Sequence, residues 1–227
     1  MWLSHVFRPA RVVLTRGMTT GKGWVMGESE SAGAVDRAQG EACYAPLTRS
    51  VRRLVDVTIR SEVDDETIRV AQALIEQASD LLATRLMPGA FGVKETLDGG
   101  TVAWGNAAIG LRNAIAPPLL VERTADRVYT DFDLGAAYEG PPGHVHGGVC
   151  ALILDHVLGA TAHQPDRPAF TGTITVRYLR PTRLGRLHAE AHVDHDEGAK
   201  TYAVGSISDG DGVTVEAEGV FVRPDAR

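Results

Sequence analysis

Residues 146–160 read His146-Gly147-Gly148-Val149-Cys150-Ala151-Leu152-Ile153-Leu154-Asp155-His156-Val157-Leu158-Gly159-Ala160. From Val149 onward the run is apolar on nearly every face, the pattern of a buried helix, and it predicts a helix from about Gly147 to Ala162. Only Asp155 and His156 interrupt it. A carboxylate in such a setting is costly unless it is paired or hydrogen-bonded, so its presence needs a reason. A structural Asp satisfied by a neighbouring hydroxyl or imidazole is one reason, and a catalytic carboxylate is the other.

The approach to this helix, Glu139-Gly140-Pro141-Pro142-Gly143-His144-Val145-His146-Gly147-Gly148, is rigid and glycine-rich. Backbone N–H groups at a helix start, with no Cβ atoms in the way, suit a negative or polarised oxygen. Acyl thioester chemistry needs such a donor for the carbonyl oxygen and a carboxylate to attack or to activate water. Gly147 and Asp155 are eight residues apart, about 12 Å along a helix. One carbonyl group cannot comfortably touch both within one chain. Two antiparallel copies would bring Gly147 of one near Asp155 of the other, so the spacing predicts a site shared across a homodimer or a dimer of dimers.

Outward from this segment the chain reads as strands. Leu119 to Arg123 is short, and Val128, Thr130 and Phe132 alternate with polar residues. Beyond the helix, strands are expected over Thr171–Arg180, Arg186–His195, Lys200–Ser208 and Val213–Val222, with Gly198 and Asp209–Gly212 as hairpin turns. Consecutive hairpins with a helix near their start predict an α+β fold. Ile68, Ala71, Leu74, Ile75, Ala78, Leu81 and Leu82 behind Asp64-Asp65-Glu66 predict an extra N-terminal helix ending near Leu86. Residues 28–50 are small, polar and glycine-bearing and read as loop. The division expected is a flexible arm over 1–60, a helix and connector over 61–112, and the main domain over 113–224.

Hydrophobic residues make up 44% and charged residues 23% of 227, ordinary for a globular protein, and the net charge of -6 argues against phosphate-neutralising nucleic-acid binding. No apolar run is long enough to span a membrane. Cys43 and Cys150 form no disulfide framework, which fits a reducing, cytoplasmic setting. Arg8, Arg11, Arg16 and Lys22 without any acid before Gly27 loosely resemble a transit segment, while Met18 and Met26 are alternative starts. His188 and His192 share one face of a strand and His195 faces the other way, so no metal site is expected.

His-Gly-Gly, six residues, then Asp, with the Gly140-Pro141-Pro142-Gly143 lead-in and the Arg177-Tyr178-Leu179-Arg180-Pro181 strand, resembles the hotdog-fold thioesterase superfamily, in particular the phenylacetyl-CoA type and the thioesterase-superfamily-member enzymes. The likeness runs over roughly 113–223. It implies an antiparallel sheet wrapped around a central helix, and hydrolysis of an acyl-CoA, as in fatty acid metabolism, without a cofactor. Asp155 would be nucleophile or general base, the Gly147 N–H would polarise the thioester carbonyl, and His146 would shape the helix entrance. Thr171 falls where relatives place a Ser or Thr that positions water or the aspartate. Its alternative is plain strand propensity, since Thr173 and Thr175 follow in alternation. Many relatives carry Asn, Gln or His six residues ahead of the motif histidine, where this chain has Gly140. Glu139 or His144 is the nearest substitute, with Gly148 beside the substrate. Arg180 and Arg183, flanking the bend at Pro181, are candidates for the CoA phosphates. A hotdog dehydratase or hydratase would need a His–acid pair at a different spacing. A non-catalytic acyl-CoA-binding or regulatory protein is the other alternative.

Overall fold

In the computed structural model, which describes residues 34–163 and 168–223, the elements run α1 (Arg37–Arg60), α2 (Asp65–Ala83), β1 (Lys94–Glu95), β2 (Thr101–Val102), β3 (Glu122–Arg123), β4 (Val128–Leu134), α3 (Gly147–Ala162), β5 (Phe170–Tyr178), β6 (Gly185–Glu197), β7 (Lys200–Asp209) and β8 (Gly212–Val222). The chain divides into two compact units that meet in sequence at Ala116 and Pro117. The basic segment before Gly27 lies outside the described residues.

In the C-terminal unit, α3 follows from its sequence almost residue for residue. His146 caps it, its Nδ1 accepting from the Gly148 N–H at 3.0 Å. Six strands form one antiparallel sheet in the order β3-β4-β6-β7-β8-β5, and α3 packs against β4 to β8. Cys150, Ile153, Leu154, Val157, Leu158 and Ala162 face the sheet and are buried. They meet Ile174, Val176, Leu187, Ile207, Val215 and Phe221 from the strands. Alternation sends these residues inward because successive strand side chains point to opposite faces. The helix is not buried all round, as its composition predicted: Ala151, Leu152, Asp155, His156 and Gly159 are only half-covered by this chain.

Two glycines fit α3 to the sheet. A Cβ on Gly219 would lie 2.6 Å from the Phe221 ring, and one on Gly159 would lie 3.3 Å from it. The ring is 1% exposed and fills the space these residues leave open. Burying it contributes roughly 1.5–3 kcal/mol. Below α3, Cys150 Sγ donates to Thr182, whose hydroxyl donates to Thr214 Oγ1 at 2.8 Å, and Thr214 in turn donates to the Ile207 carbonyl at 3.1 Å. This chain satisfies three buried polar groups together. Burial also pushes the Cys150 thiol pKa up, the ordinary behaviour of a structural cysteine.

In the N-terminal unit, α1 corrects the loop expected over 28–50 and the flexible arm expected over 1–60 from Arg37 onward, residues 1–33 lying outside the described ones. Gly40 and Pro46 misled the reading, because both disfavour helix interiors. Asp36 caps the helix by accepting from the Gln39 N–H. A Cβ on Gly40 would lie 2.0 Å from Trp104, so the glycine is there to let the indole approach. Arg52 adds a bond to the Ala116 carbonyl at 3.1 Å. Among the described residues, two helices therefore precede the sheet where one was expected. α2 begins as predicted, with Asp64 accepting from the Thr67 N–H.

Candidate active site

Gly147 is the first residue of α3 and its N–H makes no hydrogen bond among the described residues. The amides behind it are satisfied, Gly148 by the His146 ring and Val149 and Cys150 by the His146 carbonyl. Gly147 is therefore the unpaired donor at the positive end of the helix. The Tyr178 hydroxyl donates to the Gly147 carbonyl at 2.7 Å and fixes that peptide. Burial raises the Tyr178 pKa, so the phenol stays protonated as this bond requires. In the sequence, Tyr178 stood out only as part of a strand motif; that its ring lies against residue 147 depends on how β5 pairs with β8.

Asp155 lies two turns on, half-buried, and the Thr171 hydroxyl donates to its Oδ1 at 2.9 Å. A β-bulge makes this contact possible. Thr171 pairs with Phe221 and Thr173 with Val220, so Gly172 is the extra residue. Phe221 faces α3, and its partner Thr171 therefore faces α3 as well. Without the bulge, Thr171 would share the outer face with Thr173 and Thr175. Bulges commonly re-aim a side chain in this way beside functional sites. His156, next to Asp155, is held toward its neutral form by burial, against the pull of the Asp155 charge.

The approach loop explains the glycine at 140. A Cβ there would lie 2.7 Å from the His146 Cα, so no side chain fits. The residues nearest to replacing it are engaged: Glu139 accepts from the Gly143 N–H at 2.6 Å, and His144 Nδ1 pairs with the Pro142 carbonyl at 2.8 Å. The loop is tied to the Pro181 bend through the Val145 N–H to Thr182 carbonyl and Leu184 N–H to Gly143 carbonyl bonds. Gly148 stays close to His146, where a Cβ would lie 3.2 Å from Nδ1.

The two arginines at the bend are paired. Arg180 grips both oxygens of Asp209, at 2.9 and 2.6 Å, and the Gly212 carbonyl at 2.7 Å, so its fork is filled by the β7–β8 turn. The Arg180 guanidinium holds the Asp209 pKa down at about 2. Arg183 pairs with Asp211 at 2.7 Å in the open. Because the unfolded chain takes up the Asp209 proton near pH 4 and the folded chain near 2, this pair stabilises the fold above pH 4 and fades toward pH 2. Asp209→Asn should cost about 1–2 kcal/mol at pH 7 after allowing for solvent screening, with the gap to wild type closing by pH 2 in urea melts. A gap independent of pH would contradict this assignment.

His195 does not face away from His188 and His192 as strict alternation predicted. A bulge between Val193 and His195 pairs it with Tyr202, placing it on the outer face with the others. His188 and His195 have separate partners: His188 has Asp131 at 3.0 Å, and His195 stacks on Tyr202 at 4.2 Å. Among the described residues no group of three or more His, Cys, Asp or Glu side chains is placed to hold a metal.

An antiparallel sheet packed on a central helix, with a glycine-rich loop leading into that helix, defines a hotdog domain. Residues 142–216 match the model of the thioesterase superfamily. The crystal structure of a thioesterase superfamily protein is 34% identical, with 86% of this chain and 97% of that one aligned at a TM-score of 0.67. The chain belongs to the thioesterase superfamily. Over 95 residues it is 33% identical to acyl-coenzyme A thioesterase THEM4 of Xenopus laevis (40% of this chain, 43% of that one). It is 28% identical to acyl-coenzyme A thioesterase THEM5 of Homo sapiens (40% and 38%). The match thus spans less than half the length of these two relatives. No helix among the described residues is long and apolar enough to cross a membrane.

Proposed function

We propose that this protein hydrolyses acyl-CoA thioesters, with Asp155 as nucleophile or general base and the Gly147 N–H as the donor to the carbonyl oxygen. The observation that carries the reading is one helix presenting both groups: an unpaired first-turn amide, and a half-buried carboxylate held by Thr171. In either role Asp155 drives negative charge onto the thioester oxygen, and a fixed amide at a helix N-terminus stabilises that charge. The released acid and CoA thiol leave no need for a redox or metal cofactor. The names of the two curated relatives support acyl-CoA as the substrate.

The eight-residue gap makes each site composite, Asp155 from one copy facing Gly147 of a second. The half-covered side of α3, with Ala151 and Leu152, supports such a partner. Arg183 is the better candidate for a CoA phosphate, since its pair with Asp211 is exposed and exchangeable.

A panel of aromatic and aliphatic acyl-CoAs, assayed for free thiol, tests the reading: saturable release supports it, and tight binding without release favours a binding protein. Thr171→Val keeps the β-branched shape and removes the donor. It should lower kcat about tenfold or more at unchanged KM, the worth of one hydrogen bond to a charged group, while Thr171→Ser keeps most of the rate. Equal rates for all three would remove Thr171 from the mechanism.

A further inference from the structure

We propose that α1 and α2 form an exchange surface for a second copy of this chain, α2 of each copy lying along α1 of the other. This inference is independent of the thioesterase reading. α2 is amphipathic, with Asp65, Glu66, Glu76 and Asp80 away from an apolar stripe of Ile68, Leu74, Ile75, Leu81 and Leu82. Those five are 38–73% exposed, and among the described residues no residue of α2 is buried. A helix of this length draws its stability in water mainly from a covered apolar face.

The complementary surface is on α1. Leu47, Val51, Val55 and Ile59 recur every fourth residue, and each is 36–53% exposed. The helices carry opposite net charge: α1 has five arginines against Glu41 and Asp56, with Arg37 paired to Asp98 and Arg60 to Asp56, and α2 has four acids against Arg69. In one chain they do not lie along each other. An open groove of about 950 Å³ separates α1 from the end of α2, with Leu47, Val51, Leu82 and Leu86 among its walls. The two exposed stripes amount to on the order of 750 Å² per copy, close to the ~800 Å² per partner of a standard specific interface. Using each stripe once per copy satisfies both in a closed twofold pair. A lipid surface is disfavoured because the polar side of α2 is acidic, whereas helices that lie on membranes are basic there.

Hydrogen exchange and sedimentation of the full-length protein across a dilution series test this. Amides 65–83 should be protected where the protein is associated and lose protection as it dissociates. Leu74→Glu with Leu82→Glu should raise the half-dissociation concentration, or that of a tetramer-to-dimer step, at least tenfold. Both side chains are exposed in the single chain, and unchanged protection of β4–β8 would show that the fold is intact. Ala73→Glu, which adds a charge on the polar side of α2, should change neither. Protection of α2 that does not follow association, or association indifferent to the double substitution, would overturn the proposal. So would α2 gaining protection only when lipid or another protein is added.

Discussion

Asp155→Asn should reduce kcat for thiol release by at least about 10³-fold, since an amide can neither attack the thioester nor take a proton from water. The substitution preserves shape and can still accept the Thr171 hydroxyl that now reaches Oδ1. The fold should therefore hold, with the melting temperature within a few degrees of wild type and acyl-CoA affinity within about threefold. Loss of rate with retained binding would separate chemistry from recognition. Unaltered turnover would leave Asp155 as a structural group of α3.

Gly147→Pro tests the other half of the site. Proline removes the N–H yet is favoured at the first position of a helix, where that amide has no intrahelical acceptor. Its neighbour already has the right backbone: His146 is at φ -61° and ψ 131°, the extended region that a residue before proline adopts. The added Cβ meets the Tyr178 ring at 3.3 Å, a tight contact. Gly147→Ala brings the same Cβ and keeps the donor, so it isolates that contact. Removing one oxyanion donor typically costs 10²–10³ in kcat. Gly147→Pro should fall in that range while Gly147→Ala stays within about fivefold of wild type. Equal losses in the two variants would assign the effect to the Tyr178 contact and not to the amide.

The sheet and its central helix were legible because their signals are local. Alternation marked β4 to β8, glycine marked the hairpins, and an unbroken apolar run behind two glycines marked α3. What escaped depended on contacts distant in sequence. α1 looked like a loop because Gly40 and Pro46 are breakers, and nothing local reveals that Trp104 lies against the glycine. Two bulges reversed faces that strict alternation assigned: Gly172 turned Thr171 inward toward Asp155, and the irregularity after Val193 turned His195 outward. Within the site, Asp155 and Gly147 stood out from spacing and chemistry, whereas the Tyr178 bond to Gly147 needed the register of β5. Arg180 read as a phosphate fork because its ion partner Asp209 is 29 residues away, across the sheet. Gly140 read as a missing side chain; it is a position where the His146 backbone leaves no room for one.

In the proposed arrangement two copies of α3 build each site, Asp155 from one and the Gly147 amide from the other. Mixing Asp155→Asn and Gly147→Pro protein, after dissociation and reassembly, tests it most directly. Half of the reassembled pairs would be mixed, each with one intact site and one doubly altered site. Thiol release should therefore recover to about a quarter of the wild-type rate, from two preparations that are each nearly inactive. Failure of any activity to return, in a sample shown by mass to contain mixed pairs, would contradict a site shared between copies.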